Sequence, residues 1–255
     1  MPIDKGKAPK LLAHLIAGFP EGKLSERLAK ALATAGADAL EIQFPFSDPT
    51  ADGPLIEEAS QRALANGFRV DNGFRLVKSV AESVAIPVFI MTYASLVFAR
   101  GIQRFASDSA KAGAVGLIIP DLPFDCDEGL KAACDNENID FVPVVSPVLS
   151  ESRMQKMLKT KPEYIYTALR SGITGQDTVL DEATLAYLRG LSQGGAKIFA
   201  GFGIVRREQV LALSGLVYGT AVGSCFLKCM KEATSMGKDP IEAACRLCEE
   251  LSGKR

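Results

Sequence analysis

The chain has 255 residues, of which 47% are hydrophobic and 23% charged, and its formal net charge is −1. That much apolar material specifies a globular core rather than a disordered chain, and acids and bases interspersed to near neutrality exclude the basic stripe that nucleic acid requires. The polar opening MPIDKGKAPK leads into a short apolar stretch over residues 11–19 that His14 and Gly18 interrupt, which fits neither a signal peptide nor a membrane span.

Short apolar runs rich in β-formers recur along the chain, at 11–16, 39–42, 87–91, 116–119, 141–145, 164–168, 197–200 and 216–222. Eight strands are predicted. Between them the apolar residues return with helical spacing: Leu24, Leu28, Leu32 and Ala35 share one face, and a second helix is predicted over 150–159. Gly36, Gly113 and the Gly194-Gly195 pair stand where helices should end just ahead of strands. Continuous apolar strands alternating with helices indicate a parallel sheet covered on both faces. Eight such units in this length predict an α/β fold, a (β/α)8 TIM barrel with extra helices, spanning residues 1–255 as one catalytic domain. The competing arrangement is an open doubly wound sheet, which the lack of GxGxxG after the first strand weakens. The longest insertion between strands, 44–66, is a candidate functional loop.

In a parallel barrel the C-terminal strand ends share one mouth, and these ends carry the residues with chemistry. Glu41 lies inside the second apolar run, where a carboxylate must face the mouth or be paired. Asp52 follows eleven residues later in PFSDPTADGP, residues 45–54. One acid on a rigid strand and one on a loop can hold separated pKa values, which suits acid and base roles in one reaction. The plainer alternatives are a carboxylate paired with a neighbouring base, and an Asp48 or Asp52 that caps a helix or makes a turn. Gly172 to Gly175, Gly201-Phe-Gly-Ile204 and Val222-Gly223-Ser224 follow the last three strands, and backbone N–H groups there, with a helix starting at Ser224, suit a phosphate. Tyr164 and Tyr166 point to the same side of their strand, so one can line the mouth while the other lies deeper; a core tyrosine is the alternative. His14 is read as a core or mouth-lining imidazole. The six cysteines, including Cys245 and Cys248 on an inward helical stripe with Ile241, Ala244 and Leu251, are read as buried thiols in a reducing cytoplasm rather than as metal ligands.

The segment EIQFPFSDPTADGP, Glu41 to Pro54, resembles the signature of the tryptophan synthase alpha subunit family. The resemblance continues through GADALE before it, YASLVF at 93–98, IPDLP at 119–123, YTA with RSGITG from Tyr166 to Gly175, GFGI and VGS. It implies retro-aldol cleavage of indole-3-glycerol phosphate to indole and glyceraldehyde 3-phosphate. It also implies Glu41 as the general acid/base that protonates indole C3, Asp52 as the acid that binds and deprotonates the indole N–H, and Tyr166 at the active site. Gly175, Gly203, Gly223 and Ser224 become the phosphate cradle. No metal or cofactor is expected in this chain; pyridoxal phosphate is expected in a beta-subunit partner within a cytoplasmic α2β2 complex. The 45–54 loop and the 170–177 segment are then the lid and interface elements. The chain departs from the family at Gln43-Phe44, at Ser95 and at His14, where many members carry glycine with an aliphatic residue, asparagine and an aromatic residue. A free-standing lyase and a non-catalytic activating subunit are the competing functions.

Overall fold

The computed structural model describes residues 8–169, 181–201 and 203–254. Its elements in chain order are β1 (Lys10–Ile16), α1 (Gly22–Thr34), β2 (Ala39–Gln43), α2 (Pro54–Ala65), α3 (Val70–Ala81), β3 (Val88–Met91), α4 (Ala94–Arg100), α5 (Ile102–Lys111), β4 (Gly116–Ile118), α6 (Leu130–Asn136), β5 (Asp140–Val142), β6 (Val144–Val145), α7 (Glu151–Lys159), β7 (Tyr164–Ala168), α8 (Glu182–Ser192), β8 (Lys197–Gly201), α9 (Arg207–Ala212), β9 (Gly219–Val222), α10 (Ser224–Ser235) and α11 (Pro240–Ser252). All strand pairs are parallel, in the order β5-β4-β3-β2-β1-β9-β8-β7-β6.

The two ends of that order, β5 and β6, are consecutive pieces of one segment, so the sheet curls into a nearly closed barrel. The predicted (β/α)8 barrel with extra helices is what the chain forms, with two adjustments. The fifth strand is split at Pro143, because proline has no N–H for the ladder; its carbonyl still accepts the Tyr166 N–H at 2.9 Å. The last strand starts at Gly219 rather than 216, because the Leu216 and Val217 N–H groups bond back to the Leu213 carbonyl at 3.1 and 3.3 Å in a turn. The 44–66 insertion is a loop followed by α2, which begins at Pro54 with the pre-set φ of a first-turn proline.

Strand alternation sorts the side chains. Leu11, Ala13 and Leu15 of β1 and Leu40 and Ile42 of β2 point outward and pack with Leu28 and Leu32 of α1 and Val77 of α3 in the main core. The inward set forms a second cluster with Leu12, Phe89, Phe199 and Tyr164. Both faces of the sheet are therefore buried, which is why the strands read as unbroken apolar runs. Tyr164 stacks on Phe199 at 5.7 Å between centroids and meets Phe89 edge-on at 5.1 Å, filling the barrel below the mouth. On α11, Cys248 is fully buried and its thiol reaches the Leu32 carbonyl at 3.6 Å, the behaviour of a small hydrophobe. Among the described residues no helix is long and apolar enough to cross a membrane.

Candidate active site

Above the aromatic layer the barrel interior turns polar. Ala39, Glu41 and Gln43 alternate inward on β2, and the register sets His14 of β1 directly beside Glu41. His14, Glu41 and Gln43 are 6%, 2% and 0% exposed. The His14 Nδ1 atom stands 3.5 Å from Glu41 Oε1. Glu41 Oε2 and His14 Nε2 are buried with no partner among the described residues. A buried polar atom left unpaired costs free energy, and at the mouth of a barrel such atoms mark where a ligand completes the set. Burial works against a charge on His14, but the adjoining Glu41 carboxylate, assisted by Asp52, outweighs it and raises the imidazole pKa above its ordinary value of 6.5.

Asp52 reaches the same cavity from the loop after β2. Its backbone N–H bonds to the Pro49 carbonyl at 3.0 Å, folding the loop inward. The Gln43 amide Nε2 donates to its Oδ2 at 2.6 Å. Tyr93, fully buried after β3, adds its hydroxyl to the Asp52 carboxylate and also accepts the Ala51 N–H at 3.1 Å. Burial raises the Asp52 pKa above 3.8, against the lowering influence of His14, Gln43 and Tyr93. Asp52 therefore neither caps α2, whose N-cap is Gly53, nor faces solvent. Tyr166 lines the cavity, and burial together with the Glu41 and Asp52 charges pushes its phenol pKa well above 10.

Glu41, Asp52, Tyr166, Gly203, Gly223 and Ser224 all line this one cavity. Gly175 lies outside the described residues, as does the rest of 170–180. Gly203 follows β8 with φ 81°, a conformation that glycine adopts without the steric penalty of a side chain. Gly223 caps α10 and presses on the His14 ring: a Cβ there would stand 2.8 Å from His14 Cδ2. The twelve-residue α10 starts at Ser224, so its free N–H groups and positive dipole end are directed to the mouth. The remaining wall is apolar, with Met91, Ile118 and Val144 facing the two acids. Sequence reasoning did not single these out, nor Tyr93; the inward parity of β3, β4 and β6 is the signal that marks the first three. The arrangement is a largely apolar cavity on which two carboxyls converge and whose wall includes the N-terminal end of α10.

A family model, tryptophan synthase alpha chain, matches residues 3–253. The chain is 38% identical over 237 residues to the tryptophan synthase alpha chain of Helicobacter hepaticus, covering 90% of this chain and 89% of that one. With that of Methanosarcina barkeri the identity is 36% over 250 residues, covering 98% and 92%. Among solved structures, a tryptophan synthase of Mycobacterium tuberculosis superposes with a TM-score of 0.87 at 27% identity, covering 96% of this chain and 92% of that one. A chain from the tryptophan synthase α2β2 complex of Pyrococcus furiosus gives 0.86 at 27% identity, covering 99% and 100%. On the matched span and the shared barrel, the chain belongs to the tryptophan synthase alpha chain family.

Proposed function

We propose that Glu41 and Asp52 are the working carboxyls with which this chain cleaves indole-3-glycerol phosphate to indole and glyceraldehyde 3-phosphate. The chain is a carbon–carbon lyase of tryptophan biosynthesis. The observation that carries the assignment of residues is the convergence of the two buried acids, one from β2 and one from the loop after it, on a single apolar cavity.

The chemistry follows from the needs of the bond. Indole C3 becomes a leaving centre only after it gains a proton, which Glu41 supplies. Protonation at C3 places positive charge on the ring nitrogen, and Asp52, accepting the N1–H, stabilises it. The glycerol hydroxyl then loses its proton to the Glu41 carboxylate, the C–C bond electrons return to the ring, and an aldehyde forms. Glu41 gives one proton and receives one, so it ends as it began. Met91, Ile118 and Val144 suit the flat indole ring, and the Gly203 backbone after β8 with that of Gly223 and Ser224 at the α10 terminus suits the phosphate. Tyr166 borders the same space with its phenol held neutral.

The same reading gives the chain a cytoplasmic beta-subunit partner in an α2β2 complex, with pyridoxal phosphate held by that partner and no cofactor of this chain's own. Two large apolar side chains on mouth-side segments support a partner surface: Phe98 of α4, 44% exposed, and Val148 after β6, 76% exposed. The test is indole release from indole-3-glycerol phosphate by the purified chain, with and without an added beta subunit, for wild type and Glu41→Gln. Release that rises with the beta subunit and disappears in Glu41→Gln is expected; equal release by the two chains overturns the assignment.

A further inference from the structure

We propose that His14 is a positioning residue for Glu41, holding one carboxyl oxygen so that the other is oriented toward the reacting bond. The inference rests on the reading of Glu41 given above. His14 is the one histidine of the sequence, and the cross-strand register fixes it beside Glu41 on the inner face of the barrel. Its Nδ1 meets Oε1 at 3.5 Å, while Oε2 is the buried oxygen without a partner. A carboxylate with one oxygen engaged has a defined orientation for the other, which a freely rotating carboxyl lacks. On its other side the ring is confined by Gly223, where any side chain would collide with it. His14 thus sits between the acid on β2 and the helix end after β9, its ring lining the same cavity while its second nitrogen, Nε2, is buried with no partner among the described residues.

The groups that face His14 are Glu41 from β2 and Asp52 from the loop after it, with Tyr166 of β7 across the cavity. Both nearest groups are acids, so a charge on the imidazole is favoured, consistent with its raised pKa. Loss of that proton at higher pH weakens the hold on Glu41 from a charge-assisted to a neutral one.

Two variants separate positioning from packing. His14→Phe keeps an aromatic ring and removes the donor; His14→Asn keeps a donor near the Nδ1 position and removes the ionisable group. With indole-3-glycerol phosphate, and the fold of each variant checked by circular dichroism, His14→Phe is expected to lower kcat about tenfold or more with KM changed less than about threefold, the signature of an interaction needed in the transition state. His14→Asn should recover most of the rate. The wild-type basic limb of kcat/KM, with a midpoint above 6.5, should move up or vanish in both variants. An active wild type and an inactive Glu41→Gln, together with a His14→Phe variant of unchanged kcat and pH profile, overturn the inference and leave the function standing. A fully active Glu41→Gln overturns the function itself.

Discussion

Gln43 and Asp52 are joined by a hydrogen bond of 2.6 Å from the amide Nε2 to the carboxylate Oδ2, both groups being buried. Gln43 is fixed by the β2 ladder, paired with Ile16 and Met91, whereas Asp52 belongs to a loop. The bond therefore ties a mobile type of element to a rigid one and sets where the second acid stands. The prediction is that Gln43→Leu lowers kcat/KM about tenfold, the amount that loss of a hydrogen bond to a charged group of ~1.5 kcal/mol would give. Steady-state kinetics with indole-3-glycerol phosphate checks it; an unchanged kcat/KM shows that the loop holds Asp52 without help.

The same contact predicts a direction on the pH axis. Burial raises the Asp52 pKa above 3.8, and the Gln43 donor lowers it by favouring the carboxylate. Asp52 works as an acceptor, so activity is lost as it takes up a proton, and the acidic limb of kcat/KM lies above pH 3.8. Removing the Gln43 donor raises the pKa further and moves that limb to higher pH. In Asp52→Asn the limb should disappear along with most of the rate. A Gln43→Leu profile superimposable on wild type disproves the link.

Glu41 was legible in the sequence because an acid inside an apolar strand run has few places to go, and strand parity then gave its direction. The contact with His14 was not legible. It depends on the stagger between β1 and β2, which pairs residues 27 positions apart. Likewise the spacing of Gln43 and Asp52 carries no hint that the loop folds back over the strand. Pro143 was visible as a residue without a donor, but reading it as an interruption needs the neighbouring strand. Leu216 and Val217 continue the apolar pattern of β9 into a turn, so the pattern alone places the strand start too early. The helices were easier, since amphipathic spacing is local: α7 begins one residue after Ser150, whose hydroxyl accepts the Arg153 N–H as its cap.

At the opposite end of the barrel, Asp38 receives the Lys10 and Lys254 ammonium groups, each at 2.8 Å, and the Leu11 N–H at 3.0 Å, linking β1 and the chain's C-terminal end to the start of β2. Burial alone would raise the Asp38 pKa, but these donors outweigh it and the value falls below 3.8. A depressed carboxyl pKa contributes stability above the unfolded value, and that contribution fades as pH falls through the folded value. Asp38→Asn should cost about 1 kcal/mol near neutral pH, a modest figure because both lysines are half exposed and screened. The melting temperature should drop by ~2–4 °C, and the two proteins should converge as the pH falls well below 3.8. Thermal melts across that range check the sign; a gap that widens toward acid pH refutes it.

The phosphate cradle gives the last prediction. Gly203 holds φ 81° at the mouth, its carbonyl accepting from Gln209 Nε2 at 3.2 Å, so any side chain there is strained by about 1 kcal/mol. Gly203→Ala carries that strain alone, whereas Gly203→Asp adds a negative charge beside the helix end that the phosphate would occupy. Comparing the two separates backbone strain from repulsion. Gly203→Asp should raise KM for indole-3-glycerol phosphate at least about tenfold above that of Gly203→Ala, and should weaken inorganic phosphate binding measured by calorimetry. The difference should shrink at high ionic strength, as expected for a charge effect at a solvent-reachable mouth. Equal KM values for the two variants would place the phosphate away from the Gly203 and α10 end of the cavity.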